Sequence, residues 1–199
     1  MAITEEFITV DLILNSEAET RGVDAFALSL IKAERQMRKL FTHLIFQFAC
    51  FKETDIPELR NTLFHNKNMY FENFEMGINE IFSKSVEDLI GHEYEALLGK
   101  VKIAIQYRNK IFHGQLTKNN GLCTEELINL THNIRQWCKL LANAANQEIG
   151  YDGFVRNSFQ KTSKRDLQAK YKVTDKIKNI KDYKQFLEEI SRKPIISTN

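Results

Sequence analysis

From Val23 to Phe51 the chain reads VDAFALSLIKAERQMRKLFTHLIFQFACF. Apolar side chains recur in this stretch three or four residues apart, at Phe26, Leu30, Ile31, Met37, Leu40, Phe41, Leu44, Ile45 and Phe48. Such spacing places them on one face of an α-helix over many turns. The sequence therefore predicts a long amphipathic helix here.

Further helical patterns, separated by capping and helix-breaking residues, follow as far as residue 149. Asp55 and Ser85 are of the types that cap helices, and Gly114 is a natural helix stop. The predicted segments are a short helix from Asp55 towards Leu63, a break at Asn66-Lys67-Asn68, a short helix within Tyr70 to Phe82, a helix from about His92 to Phe112, and a last core helix capped by Thr124. We expect an all-α, antiparallel helical bundle over residues 24–149. The N-terminal segment, residues 1–23, fits a short helix or a strand.

Composition supports a packed, reduced, helix-rich protein. Of the 199 residues, 43% are hydrophobic and 27% charged, with 2 prolines and 8 glycines, which argues against disorder. The odd number of cysteines (Cys50, Cys123 and Cys138), with no CxxC pair, favours buried thiols. No apolar run approaches the roughly 20 residues that span a bilayer, and the N-terminus does not resemble a signal peptide. We therefore expect a cytoplasmic location without membrane contact.

Residues 150–199 are predicted to form a basic appendage, helical from about Lys164 to Ile190. From residue 151 onwards twelve Lys or Arg stand against six acids, so this part carries +6 and the rest −4 of the net +2. Such a segment could hold a polyanion or could simply be a solvated charged helix. Its aromatic residues either stack on RNA or pack against the bundle: Tyr151, Phe154, Phe159, Tyr171, Tyr183 and Phe186.

The run Arg108-Asn109-Lys110-Ile111-Phe112-His113 gathers chemically useful groups at the end of one predicted helix. Asn109 and His113 are four residues apart and share a stripe, and the negative end of the helix dipole favours cations there. Arg108 lies seven, four and three residues after Val101, Ala104 and Ile105, so its side chain emerges on the apolar face of the helix. A guanidinium on that face needs a hydrogen-bonding or charged partner.

An arginine and a histidine suit the cleavage of RNA without a metal. The imidazole can move a proton to or from the 2′-hydroxyl or the leaving 5′-oxygen, while the guanidinium grips the phosphate. Attack by the 2′-hydroxyl leaves a 2′,3′-cyclic phosphate and requires RNA rather than DNA. The structural alternative is that Arg108 pairs with a core carboxylate and His113 only caps its helix.

His43, His92 and His132 lack metal-ligand spacing with one another or with the cysteines.

The same pattern occurs a second time, as Arg60-Asn61-Thr62-Leu63-Phe64-His65. This copy begins a few residues after the cap at Asp55, on a short helix, and no glycine and long final helix follow it. We interpret it as a coincidence, with the alternative that Arg60 and His65 line an RNA path.

The first copy, with its long helix, Gly114, polar loop and final apolar helix, resembles the HEPN family of helical-bundle ribonucleases. The resemblance covers roughly residues 24–149. It implies a four- or five-helix bundle that forms a homodimer, with two copies of the motif in one composite active site and no metal or cofactor. Arg108 and His113 would be catalytic, and Asn109 would orient the histidine or contact the phosphate.

Family members commonly act as toxins, in antiphage defence or in RNA processing, so the expected substrate is RNA such as tRNA or mRNA. An antitoxin or a sensor protein is a further partner that the resemblance allows. We expect RNA contacts from Lys110, Lys161, Lys164 and Arg165. Gln115 stands where toxins silenced by a nucleotidyltransferase have tyrosine, so that form of control does not apply here. Two alternatives remain: a non-catalytic dimeric HEPN module that binds RNA or a protein, and a structural helical protein in which the motif arose by chance.

Overall fold

The computed structural model describes residues 2–114, 124–155, 157–163, 166–173 and 175–192. Within these ranges the chain is all-α and has no β-strand, only an isolated antiparallel bridge between Phe82 and Tyr171. The α-helices are α1 (Ala2–Leu14), α2 (Arg21–Gln47), α3 (Ile56–His65), α4 (Phe71–Ile81), α5 (Val86–Ile90), α6 (Tyr94–Phe112), α7 (Thr124–Glu148) and α8 (Ile180–Arg192). The all-α part of the predicted fold class is confirmed.

The start of α5 and the end of α6 follow the capping and helix-stop residues that the sequence displays. Ser85 caps α5: its Oγ accepts from the backbone N–H of Asp88 at 3.0 Å, and the Asp88 carboxylate accepts from the Ser85 N–H at 2.8 Å. Asp55 precedes α3 as predicted, but its carboxylate makes no cap to that helix and accepts instead from the N–H of Lys52 at 2.7 Å. Gly114 ends α6 with a positive φ of 65°, which favours glycine.

Helix α2 lies at the centre of the structure and contacts α1, α4, α6 and α7. Its apolar face is buried at Phe26, Leu30, Met37, Leu40 and Phe41 among others, but Ile31, which was predicted on this face, is 49% exposed. Burial of each such side chain stabilises the fold by about 1.5–3 kcal/mol relative to its exposure. Because α2 packs against four other helices, it needs apolar side chains along most of its length, and it has the longest apolar pattern in the sequence.

The segment after residue 150, predicted as an appendage, contributes to the same hydrophobic core in its described residues. All six aromatic residues named above are buried there, with at most 9% of each side chain exposed, which favours packing over RNA stacking. The helix predicted from about Lys164 is wrong over the described residues 166–173, which contain only a short 3₁₀-helix, Gln168–Lys170, and α8 begins only at Ile180. Backbone bonds from Ser83 N–H to the Lys170 carbonyl, at 2.8 Å, and from Lys172 N–H to the Ile81 carbonyl, at 3.0 Å, hold this part against the end of α4.

The carboxyl end of α2 is completed by residues that lie far away in the sequence. The Tyr171 hydroxyl donates to the Leu44 carbonyl at 2.7 Å, and the Gln168 amide donates to the Gln47 carbonyl at 2.5 Å. Lys161 Nζ donates to the carbonyls of Phe46 and Phe48, the latter at 3.0 Å. Carbonyls at a helix end have no partner within the helix, so these side chains supply the missing donors.

None of the helices in the described ranges is both long enough and apolar enough to cross a bilayer. The described cysteines are free thiols: Cys138 is buried, which raises the pKa of its thiol, and Cys50 is exposed. Cys123 lies outside the described residues.

Candidate functional site

The last turn of α6 carries the predicted site residues. His113 forms the C-cap, where its backbone N–H still bonds to the Asn109 carbonyl at 3.1 Å. Its side chain is exposed, and Gly114 then turns the chain away. The helix therefore presents an accessible imidazole at its carboxyl end.

The Arg108 guanidinium is held from two sides. Its Nη1 donates to Glu34 Oε1 at 2.5 Å, across from α2, and its Nε and Nη2 both donate to Asn109 Oδ1, at 3.2 and 3.1 Å. The side chain is 21% exposed. A guanidinium has five N–H groups, so two of them are left without a protein acceptor among the described residues. Arg108 is thus fixed in orientation and still has donors for an anion.

Arg108, Asn109 and His113 line one surface depression of about 380 Å³. Its remaining walls come from α2, from the start of α4 and from α6, through Glu34, Tyr70, Phe71, Glu72 and Ile105. The structure therefore brings the three predicted catalytic residues together. Lys110 is exposed on the same turn but does not line this depression.

Two carboxylates, Glu34 and Glu72, line the depression together with the single guanidinium of Arg108. Burial raises the pKa of the Glu34 carboxyl, and the nearby Arg108 guanidinium partly offsets this effect. Charge-assisted hydrogen bonds at this distance are the strong ones. The ion pair therefore fixes Arg108 but also lowers the attraction of one chain for a phosphate.

Of the lysines and the arginine in the C-terminal segment that were predicted to contact RNA, the described one, Lys161, does not line the depression at the end of α6. Lys161 bonds to carbonyls at the end of α2, and its ammonium lies 4.6 Å from the centre of the Phe46 ring. Burial lowers its pKa. A phosphate contact would have to replace these bonds. Lys164 and Arg165, like Gln115, lie outside the described residues.

The second copy of the motif is not assembled in the same way. The Arg60 guanidinium lies over the Phe159 ring, 4.9 Å from its centre. His65 Nδ1 bonds to the Asn61 carbonyl at 2.9 Å, and these two residues line a groove of which Arg60 is not a part. Here the arginine and the histidine serve different surfaces.

Sequence reasoning foresaw that Arg108 needs a partner, but it did not find Glu34. A signal was present, because Glu34 lies on the apolar stripe of α2 with Leu30, Met37 and Phe41, four residues before it and three and seven after it. A carboxylate at such a position indicates a partner on another helix. Tyr70 and Glu72 carried no comparable signal.

Within the described ranges, no group of three or more His, Cys, Asp or Glu residues is placed to hold a metal ion. No protein-family model, no curated protein and no solved structure matches this chain.

Proposed function

We propose that this chain is a HEPN-like endoribonuclease that cleaves RNA without a metal, as a homodimer with a composite active site. The observation that carries the proposal is the shared depression of Arg108, Asn109 and His113 at the end of α6. An oriented guanidinium next to an accessible imidazole is what 2′-hydroxyl attack on a phosphodiester requires.

The chemistry needs one proton acceptor and one proton donor. A histidine removes the proton of the 2′-hydroxyl, whose oxygen attacks the phosphorus, and the bond from phosphorus to the 5′-oxygen breaks. A second histidine protonates that 5′-oxygen, so the products are a 2′,3′-cyclic phosphate and a 5′-hydroxyl. One chain supplies one His113 at this site, and a second copy facing it supplies the other.

Arg108 would stabilise the charge on the phosphate oxygens in the transition state. Glu34 and Asn109 occupy three of its N–H groups, so the remaining two are presented in a fixed direction. Preorganised donors of this kind cost no rearrangement when the charge develops. A toxin, a defence nuclease and an RNA-processing enzyme would all use this reaction, on tRNA or mRNA, with or without an antitoxin or sensor partner.

A second candidate is a non-catalytic dimeric module that binds RNA or a protein. The Arg108–Glu34 ion pair favours it, because pairing with a core carboxylate gives the arginine a structural role. His113 at the C-cap fits that role as well.

The test is incubation of the purified protein with total RNA and tRNA in EDTA, beside Arg108→Ala and His113→Ala variants of verified helical content. We expect cleavage that leaves 2′,3′-cyclic phosphate ends and is lost in both variants. Absence of cleavage by the wild-type protein favours the non-catalytic module. Cleavage that survives both substitutions refutes the assignment of this site.

A further inference from the structure

A second cavity lies away from the depression, between the end of α3 and helix α8. It is an open groove of about 720 Å³, and its walls are mainly polar. The lining residues are Asn61, Thr62, His65, Asn66, Lys67, Asn68, Lys184, Leu187, Glu188, Ser191 and Arg192. We refer to it below as the α3/α8 groove.

The α3/α8 groove is basic. Three cations line it, Lys67, Lys184 and Arg192, against the single carboxylate of Glu188, which pairs with Arg192 at 3.2 Å. Among the described residues, neither Lys67 nor Lys184 has a carboxylate within salt-bridge distance, and both are exposed. Two uncompensated ammonium groups on facing walls form a site for a ligand with more than one negative charge.

The groove also offers groups that recognise bases. Asn61, Asn66 and Asn68 provide amides that can both donate and accept hydrogen bonds. The Asn61 carbonyl can only accept a hydrogen bond, so His65 Nδ1–H is the donor of the bond between them. In the neutral imidazole, the other nitrogen, Nε2, is then a hydrogen-bond acceptor.

An exposed aromatic ring lies at the edge of the groove. Phe64 is 74% exposed, and its ring centre is 5.5 Å from that of His65, a lining residue, in an edge-to-face arrangement. A phenylalanine this exposed contributes little to folding, whereas a flat apolar ring at the edge of a basic groove can stack on a nucleobase.

We propose that the α3/α8 groove binds single-stranded nucleic acid, with Lys67 and Lys184 on its phosphates and Phe64 stacked on a base. A volume of about 720 Å³ is too large for one inorganic ion and matches a short stretch of nucleotides. This binding site is separate from the depression at the end of α6, and it does not depend on RNA cleavage by this chain.

Fluorescence anisotropy with a labelled single-stranded RNA of about 12 nucleotides, a length that such grooves commonly accept, tests the proposal. All proteins carry His113→Ala, so that cleavage does not disturb the measurement. The groove variant is Lys67→Glu/Lys184→Glu, and the matched control is Lys100→Glu/Lys139→Glu, which reverses two exposed charges outside the groove. Thermal unfolding verifies that each variant is folded.

We expect the groove variant to bind at least about tenfold more weakly than the control variant. The slope of log affinity against log salt concentration should shrink by about 1.4, the value for two lost contacts to a single strand. Phe64→Ala should weaken binding about fivefold or more, the lower value for stacking of one base on an aromatic ring.

Equal losses in the groove and control variants, or no binding by the parent protein, would overturn the proposal. A poly-glutamate peptide that binds as tightly as the RNA would assign the groove to an acidic protein partner instead. Equal affinity for a duplex RNA of the same length would exclude recognition of a single strand.

Discussion

The chain contains two copies of Arg-Asn-x-x-x-His, and their surroundings differ. At the end of α6, Arg108 and His113 line the same depression, and Glu34 fixes the arginine. At the end of α3, Arg60 lies on the Phe159 ring, while His65 faces a groove without it. The comparison teaches that a spacing of five residues does not make a site. What matters is the neighbouring helix that meets the arginine.

The two histidines give the largest expected difference between the copies. We predict that His113→Ala lowers the rate of RNA cleavage at least about 100-fold, because proton transfer by a positioned side chain contributes that much. His65→Ala should leave the rate within about twofold, as long as the RNA concentration saturates the protein. Rates are compared by gel analysis of one labelled RNA. Equal losses in the two variants would remove the distinction between the copies.

The two arginines should differ in their contributions to stability. Arg108→Ala leaves the Glu34 carboxylate partly buried without its partner, which should cost about 1–3 kcal/mol of unfolding free energy. Arg60→Ala removes an exposed contact with an aromatic ring, worth about 0.5–1 kcal/mol. Urea denaturation measures both.

The double variant Arg108→Ala/Glu34→Ala completes a mutant cycle and isolates the energy of the ion pair. It should lose less stability than the sum of the two single variants. Simple additivity would show that Glu34 does not hold Arg108 in solution.

The smallest effect is a pH dependence of the unfolding free energy that arises from Glu34 in the depression. Burial raises the folded-state pKa of Glu34 above its unfolded value, so the folded protein holds this proton more tightly. The resulting stabilisation is complete below the unfolded pKa and is lost as the pH rises through the folded one. The unfolding free energy of the wild-type protein relative to Glu34→Gln should therefore fall as the pH rises above about 4.5, the ordinary pKa of a glutamate carboxyl.

Urea denaturation at several pH values provides the measurement, with Glu188→Gln from the α3/α8 groove as the matched control. A constant difference between the wild-type protein and Glu34→Gln over this range would contradict the prediction.

Sequence reasoning predicted the fold class and the helices with long apolar stripes, because local spacing determines them. It located α2, α4, α6 and α7 within a few residues, and the Ser85 cap as well. It failed for the start of α8, where backbone bonds to the end of α4 replace a helix that the periodicity favoured. Backbone bonds between residues far apart in the chain produce no periodic pattern in the local sequence, so they could not be predicted from it.

In the candidate site, too, the residues on one helix end were predicted from the sequence, and the residues contributed by other helices were not. Arg108, Asn109 and His113 were predicted because they share one helix end, and they do line one depression. Glu34 is on another helix, and its presence on an apolar stripe was the only sequence signal that this carboxylate is the partner of Arg108. The α3/α8 groove could not be predicted, since Lys67 and Lys184 lie more than a hundred residues apart in the sequence and meet only through folding.

The completion of α2 by late residues has a consequence for synthesis on the ribosome. Leu44 and Gln47 leave the exit tunnel early, but their partners Tyr171 and Gln168 follow more than 120 residues later. At about 5–20 residues per second, the end of the central helix waits for several seconds or longer without these partners. Contacts so distant in sequence also slow folding. Until residue 171 has left the tunnel, the end of the central helix therefore lacks these two side-chain donors, and the nascent chain cannot reach its final form.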